Sequence, residues 1–152
     1  SSSKNLSWKG FSVNAQFSWV KNRWMLNNDR FFDESNGMYS SAFNQSKELF
    51  KRWKKPGDIT SVPRYGVTPQ MDAHLLEDAS FLRLKNLTFA YNFPQAMLKR
   101  TKAISMARIF AQGQNLLTFT KFTGMDPESS KNVYQAAYPM SRQFTFGLEV
   151  TF

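Results

Sequence analysis

The sequence of 152 residues has the length of one ordinary domain, and 41% of it is hydrophobic, with an unusually high aromatic share of 16%. The net charge of +9 favours anionic partners such as nucleic acid, lipid headgroups or an acidic protein face. The absence of cysteine excludes disulfides and thiolate metal sites, and no apolar run approaches the ~18–20 residues that a membrane-spanning helix needs.

The mean hydropathy of −0.48 does not exclude a membrane protein that crosses with strands, because such strands alternate apolar and polar residues. The first residues carry no charged-then-apolar signal sequence. The protein is therefore either not exported or a mature fragment whose beginning lies elsewhere, and we expect the second.

Strict alternation predicts a strand after a short turn at Gly10. Apolar side chains occupy every odd position from Phe11 to Trp19, and polar or small ones occupy the even positions. Nine residues match the ~9–11 of a tilted strand that crosses a bilayer, with aromatic residues at both ends. A half-buried strand of a soluble sandwich shows the same alternation, so both alternatives stay open here. Residues 5–8 resemble the end of a preceding strand.

Two further strands follow in the second half of the chain. Residues 86–93 alternate until Pro94, and Leu82 and Leu84 before them have the opposite parity. This change of parity predicts either a bulge near Lys85 or a part of the strand that stands above the membrane, where parity is free. Residues 104–120 form a less regular strand, in which the parity of Arg108 points Phe110 toward the polar side. The other parity would then put Ala107, Ile109, Ala111 and Gly113 on the apolar side.

The final eleven residues, 142–152, alternate completely and stop on an aromatic residue. A last strand of this kind resembles the signal that the barrel-assembly machinery of bacteria reads. The predicted signal residues are Phe144, Phe146, Leu148, Val150 and Phe152.

Short and long connections alternate along the chain, as they do in transmembrane barrels with short periplasmic turns and long extracellular loops. We predict an all-β fold with two long outer loops, at about 27–79 and 121–137. The predicted strands are about 1–8, 10–26, 80–93, 104–120 and 138–152.

Several motifs then resemble one family. Three runs are similar to signature segments of the SusC/RagA family of TonB-dependent outer-membrane transporters: Leu76 to Pro94, Ala111 to Glu128 and Tyr138 to Phe152. The loop pieces RWKKPGD, at Arg52 to Asp58, and VPRYG, at Val62 to Gly66, are also family-like. These motifs cover most of the chain in family order.

The resemblance implies the last four to five antiparallel strands of a 22-stranded transmembrane β-barrel in the outer membrane of a Bacteroidota-type Gram-negative bacterium. It also implies import of oligosaccharides or peptides together with a SusD-like surface lipoprotein. The plug domain, the segment that contacts TonB and about seventeen strands have no counterpart in this sequence. The resemblance therefore implies three further partners for this chain: the remainder of the barrel with its plug, TonB, and outer-membrane lipid.

The candidates for chemistry are few. His74 is the single histidine and lies near acidic residues, but no nucleophile motif accompanies it, so we expect a solvated loop residue. Asp126 and Glu128 flank a proline, which favours turn building. We therefore predict no catalysis, no metal and no cofactor. The loop aromatics could stack on sugars or pack their own loops: Tyr39, Phe43, Tyr65 and Tyr134.

A basic run from Lys47 to Lys55 is interleaved with Phe50 and Trp53. Its spacing predicts a short amphipathic helix in which Leu49, Phe50 and Trp53 share a face. The charges could remain solvated, meet lipopolysaccharide phosphates or the lipoprotein, or bind nucleic acid.

Three functions are compared: a TonB-dependent importer, a passive or adhesive outer-membrane barrel, and a soluble basic β protein that binds nucleic acid. A plug and a TonB-contacting segment on the same polypeptide separate the first from the second. Dependence on detergent separates both from the third. We favour the importer and expect no nucleic acid as partner.

Overall fold

A computed structural model describes residues 1–100, 103–135 and 138–152. Residues 101–102, between the predicted strands 80–93 and 104–120, and residues 136–137, in the predicted second long loop, lie outside this description. The strands in chain order are β1 (Ser2–Trp8), β2 (Phe11–Val20), β3 (Trp24–Asn27), β4 (Leu76–Asp78), β5 (Phe81–Asn92), β6 (Met106–Thr120), β7 (Val133–Tyr134) and β8 (Gln143–Thr151). The helices are α1 (Asn28–Asp33), α2 (Gln95–Leu98) and two 3-10 helices, Lys47–Lys51 and Ala73–Leu75.

The prediction of an all-β fold is confirmed, with a few short helices beside the strands. In the described part of the chain, no helix is long and apolar enough to cross a membrane. The chain divides into two compact units. The first, called the sheet unit, comprises Ser1–Lys21, Ser80–Thr120 and Met140–Phe152. The second, called the loop unit, comprises Asn22–Ala79 and Lys121–Pro139.

The sheet unit is one antiparallel sheet in the order β1-β2-β5-β6-β8. A two-residue turn joins β1 to β2, and Gly10 there has a φ of +88°, a conformation that L side chains rarely adopt. The amide of Asn92 donates to the carbonyl of Gly10 at 2.8 Å, which ties this turn to β5. The short turn and the long connections therefore leave from opposite ends of the sheet, since Val20, Phe81 and Thr120 pair at the other end.

The predicted bulge at Lys85 is confirmed. Gln16 pairs with Asn86 while Phe17 pairs with Leu84, so β5 contains one residue more than β2. The extra residue reverses the parity of β5, and Leu82 and Leu84 consequently lie on the same face as Leu87. A regular strand would have turned both leucines to the polar side.

The loop unit has its own small sheet in the order β4-β3-β7. The predicted strand 10–26 is thus divided, because Trp24–Asn27 pairs in this second sheet. Met25, Ala79, Phe122 and Tyr134 form the buried core of the unit. The rings of Phe122 and Tyr134 meet edge to face with their centroids 5.2 Å apart.

Candidate functional site

One face of the five-stranded sheet is apolar across all its strands. Neighbouring strands bring these side chains into register in rows, for example Phe11, Tyr91, Ile109 and Leu148. They are strongly exposed: 70% of Trp8 and 79% of Phe146 remain accessible. Soluble proteins rarely expose so large a continuous apolar surface. Only edge strand β1 interrupts it within the described sheet, where Ser2 and Lys4 share the apolar face.

The rows of this face also contain the residues of the proposed assembly signal. Phe144, Phe146, Leu148 and Val150 alternate in β8 and pair with Gly113, Ala111, Ile109 and Ala107 of β6. Phe152 follows β8 and is 85% exposed. The pairing gives these side chains a common face, and their role in assembly remains a prediction.

The opposite face is polar. Asn14, Thr88, Gln112 and Thr145 form one row across the central and edge strands, and the side chain of Asn14 donates to Asn5 of β1. Near the short-turn end of the sheet, a guanidinium nitrogen of Arg108 lies 3.2 Å from a carboxylate oxygen of Glu149. This face offers amides, hydroxyls and a few charges, as a water-contacting surface requires.

Phe110 is a large apolar residue in the middle of the polar face, as its parity predicted, whereas Val20, Phe81 and Met106 share this face only at its ends. Phe110 pairs with Ala90 on one side and with Gly147 on the other. Its ring lies over Gly147, in the space that a side chain at position 147 would need. The small neighbours therefore allow an aromatic ring to lie flat on an otherwise polar surface.

A charged cluster organises the loop unit around Glu77 in β4. Its carboxylate accepts hydrogen bonds from the Thr123 amide at 2.9 Å and the Thr123 hydroxyl at 2.8 Å. Arg30 of α1 donates to it at 3.0 Å and also binds Glu34 through two nitrogens, at 2.7 and 2.9 Å. Asn27 donates to the same Glu77 oxygen as Arg30. The cluster joins α1, β3, β4 and the segment after β6 at one point.

Opposing effects set the pKa of Glu77. Burial raises it, but the hydrogen bonds from Thr123 and Arg30 outweigh burial and leave the pKa below its ordinary value of 4.5. The pKa of Arg30 is raised, chiefly by its hydrogen bonds to Glu34. Both groups are therefore charged at neutral pH, and their roles are structural.

His74 adds no catalytic arrangement. Its ring contacts Asp72 and lies 3.6 Å from Glu34, beside a cavity of about 440 Å³ in the loop unit. The backbone amide of His74 donates to Asp72, and this bond, followed by the contact with the ring, lowers the pKa of Asp72. Among the residues that the structure describes, no three potential ligands converge as a metal site would require.

The turn prediction for Asp126 is confirmed, since its carboxylate accepts the amide of Glu128 at 2.8 Å. The predicted stacking aromatics mostly pack within the loop unit. Tyr39 contacts Phe31 and Phe32, and Phe43 also packs on Phe32.

The other two aromatics differ in exposure. Tyr134 is buried, and its hydroxyl accepts the amide of Met125 at 3.1 Å. Tyr65 is exposed and lies 5.3 Å from the guanidinium of Arg52. Tyr65 is thus the member of the set that remains most available to a ligand.

The prediction of one apolar helical face at 47–55 is wrong. The helix is a 3-10 helix that ends at Lys51, and Arg52 already has extended backbone angles. Leu49 is buried while Phe50 is 76% exposed. Trp53 lies beyond the helix and donates its amide to the carbonyl of Val62 at 2.9 Å. Three residues per turn place adjacent positions 49 and 50 on different sides.

Comparisons with known proteins agree with this arrangement. TonB-dependent receptor P3 of Formosa agariphila is 36% identical over 74% of this chain, which corresponds to 12% of the receptor. TonB-dependent receptor SusC of Bacteroides thetaiotaomicron is 32% identical over 54% of this chain and 8% of its own length. The chain thus spans about an eighth or less of these relatives. No protein-family model matches it.

Solved structures extend the match to nearly the whole chain. The RagAB peptide importer in its "open-open" state superimposes on 96% of this chain, and on 16% of its own, with a TM-score of 0.88 and 43% identity. The fold is therefore that of an outer-membrane-type β-barrel wall. The chain is a SusC/RagA-like part of a TonB-dependent receptor, as its motifs indicated. Its relatives are receptors and transporters rather than enzymes.

Proposed function

We propose that this chain forms part of the barrel wall of a TonB-dependent importer in the outer membrane of a Bacteroidota-type bacterium. The single observation that carries the proposal is the five-stranded sheet with one continuous exposed apolar face and one polar face. In this orientation lipid covers the apolar face and the polar face lines the barrel interior. The similarity to TonB-dependent receptors supports energised import rather than passive diffusion.

The proposal extends to the parts that lie outside this chain. The longer protein contains a 22-stranded barrel, a plug and a segment that contacts TonB, and a SusD-like lipoprotein covers it. The proposed substrates are oligosaccharides or peptides. Because the chain is similar to part of a peptide importer, peptides should be screened first. Within the chain, residues 27–79 and 121–137 are the outer loops of the barrel.

The test is uptake by cells that produce the full-length receptor. Fluorescent oligopeptides and oligosaccharides are offered to cells with the wild-type receptor and to cells whose receptor lacks the TonB-contacting segment. We expect uptake to fall to the level of a receptor deletion in the second strain, with equal receptor abundance in the outer membrane. Uptake that persists without this segment would identify a passive barrel, and a receptor found in the soluble fraction would exclude a barrel altogether.

A further inference from the structure

An exposed basic loop in the loop unit has no part in the barrel wall. The segment 47–65, called the basic loop, contains six Lys or Arg residues and two acidic residues, a net charge of +4. It therefore carries nearly half of the net charge of +9 in a small fraction of the chain. So local a concentration of charge creates a strong positive potential at the surface.

Hydrogen bonds give the basic loop a defined shape. The hydroxyl of Thr60 donates to the carbonyl of Lys51 at 2.6 Å, close to the Trp53–Val62 backbone bond. At the tip, the carboxylate of Asp58 accepts the backbone amides of Lys54 and Lys55 at 2.9 and 3.0 Å. Asp58 is thus directed at the backbone of the tip, and the lysine side chains keep their charges exposed.

Four of the six cations form no ion pair with a carboxylate of the described residues. Lys51 pairs with Glu48, and Arg52 lies over the ring of Tyr65. Within the described residues, no carboxylate lies at ion-pair distance from the remaining four: Lys47, Lys54, Lys55 and Arg64, all of which are exposed.

Exposed apolar side chains accompany these cations. Ile59 at the tip is fully exposed, and Phe50 and Tyr65 are exposed at its base. Lysine and arginine beside exposed apolar residues are typical of segments that lie in a membrane interface, where cations meet phosphates and apolar groups enter the headgroup region.

We propose that the basic loop binds the phosphate-bearing lipid surface of the outer leaflet. Protein interfaces are depleted in lysine, whereas four of the six cations here are lysines. Nucleic acid would favour a stacking ring at the tip, where the loop presents the aliphatic Ile59. The proposal rests on the outer-membrane location proposed above and adds to it a specific lipid contact.

The experiment uses the full-length receptor in nanodiscs, with an environment-sensitive dye at Ser61→Cys. This position is exposed and lies two residues from Ile59. The 152 residues of this chain contain no other cysteine, and any cysteine elsewhere in the receptor is changed to serine before labelling. Three lipid compositions are compared: phosphatidylcholine alone, phosphatidylcholine with phosphorylated lipid A, and phosphatidylcholine with the same lipid A after its phosphates are removed. We expect a blue shift of the dye only with phosphorylated lipid A, and its loss at high salt.

The variant Lys54→Gln/Lys55→Gln should lower the ratio of membrane-bound to free loop about thirtyfold, from about 1 kcal/mol for each lysine near an anionic surface. The matched control Lys121→Gln/Lys131→Gln removes two exposed charges elsewhere in the loop unit and should leave the shift unchanged. Ile59→Ser should reduce the shift while keeping its salt dependence.

An equal shift in all three lipids, or an equal loss in the two lysine pairs, would overturn the proposal. A shift that appears only on addition of the SusD-like lipoprotein or of nucleic acid would assign the loop to that partner instead. Failure of the lipid contact alone leaves TonB-dependent uptake intact. A receptor that does not enter nanodiscs would contradict both the lipid contact and the proposed location in the outer membrane.

Discussion

Glu77 is a single carboxylate on which four segments of the loop unit depend. Its side chain is only 11% exposed, and its partner Thr123 lies 46 residues away in sequence. Hydrogen bonds to a charged group contribute about 1.5–3 kcal/mol in such surroundings. The residue therefore stabilises long loops that have little apolar core of their own.

We predict that Glu77→Gln lowers the free energy of local unfolding of the loop unit by about 2 kcal/mol, because an amide replaces the carboxylate that Thr123 and Arg30 bind. The measurement is hydrogen exchange of the amides of β3 and β7 in the full-length receptor. Glu48→Gln is the control, since Glu48 forms only an exposed pair with Lys51 and its loss should leave the exchange of β3 and β7 nearly unchanged.

Glu77 also makes the stability of the loop unit depend on pH. The pKa of Glu77 is lower in the folded protein than its ordinary value of 4.5, so its contribution is complete above that value and is lost as the pH falls through the folded pKa. Exchange in β3, corrected for its intrinsic pH dependence, should therefore accelerate in acid for the wild type and change less for Glu77→Gln. Identical acid responses would contradict this role.

At the scale of the element, the two faces of β8 provide a direct test of the environment. Phe146 lies on the apolar face and Thr145 on the polar face, one residue apart. Phe146→Lys should destabilise the full-length receptor in lipid by about 2–4 kcal/mol at a position deep in the bilayer, whereas Thr145→Lys should have a much smaller effect because the lysine faces water. Thermal unfolding of the barrel in vesicles measures both. Equal effects would argue that lipid does not cover this face.

The proposed assembly signal is a second property of the same element. Phe152→Ser should reduce the amount of folded receptor in the outer membrane, because the terminal aromatic belongs to the alternating pattern that the assembly machinery is proposed to read. Phe119→Ser is the matched control, since Phe119 is an exposed aromatic residue of β6 on the same face. The amount of folded receptor is measured by electrophoresis without heating, in which the folded barrel migrates differently from the unfolded chain. Equal losses of folded receptor for both variants would indicate general destabilisation rather than a lost assembly signal.

At the scale of the whole molecule, the open sheet requires neighbours. Strands β1 and β8 lie at its two edges, and in lipid each unpaired backbone group there costs several kcal/mol. A row of such groups exceeds the ~5–15 kcal/mol by which a domain is stable. In the proposed barrel, further strands of the longer protein therefore cover both edges.

Strand facing was predictable because alternation records it residue by residue. Even the bulge at Lys85 followed from the change of parity between Leu84 and Leu87. The small sheet of the loop unit was not predicted. β7 has only two residues and pairs in parallel with β3, which lies more than a hundred residues earlier. So short a strand leaves no periodic signal.

The charged cluster was equally hidden, because Arg30, Glu77 and Thr123 are isolated polar residues in three distant segments. The basic loop shows the opposite case, in which the charges were evident and the helix was misassigned. The local pattern of Leu49, Phe50 and Trp53 fits an α-helix, but the bond between Trp53 and Val62 draws the chain into a turn instead.

The sequence by itself determined the alternating strands, their two faces and the family, since side-chain periodicity and contiguous motifs are local properties of the chain. Only the tertiary structure decided the strand order β1-β2-β5-β6-β8, the separate sheet of the loop unit and the convergence on Glu77. These depend on contacts between residues far apart in sequence, and their geometry arises only when the chain has folded.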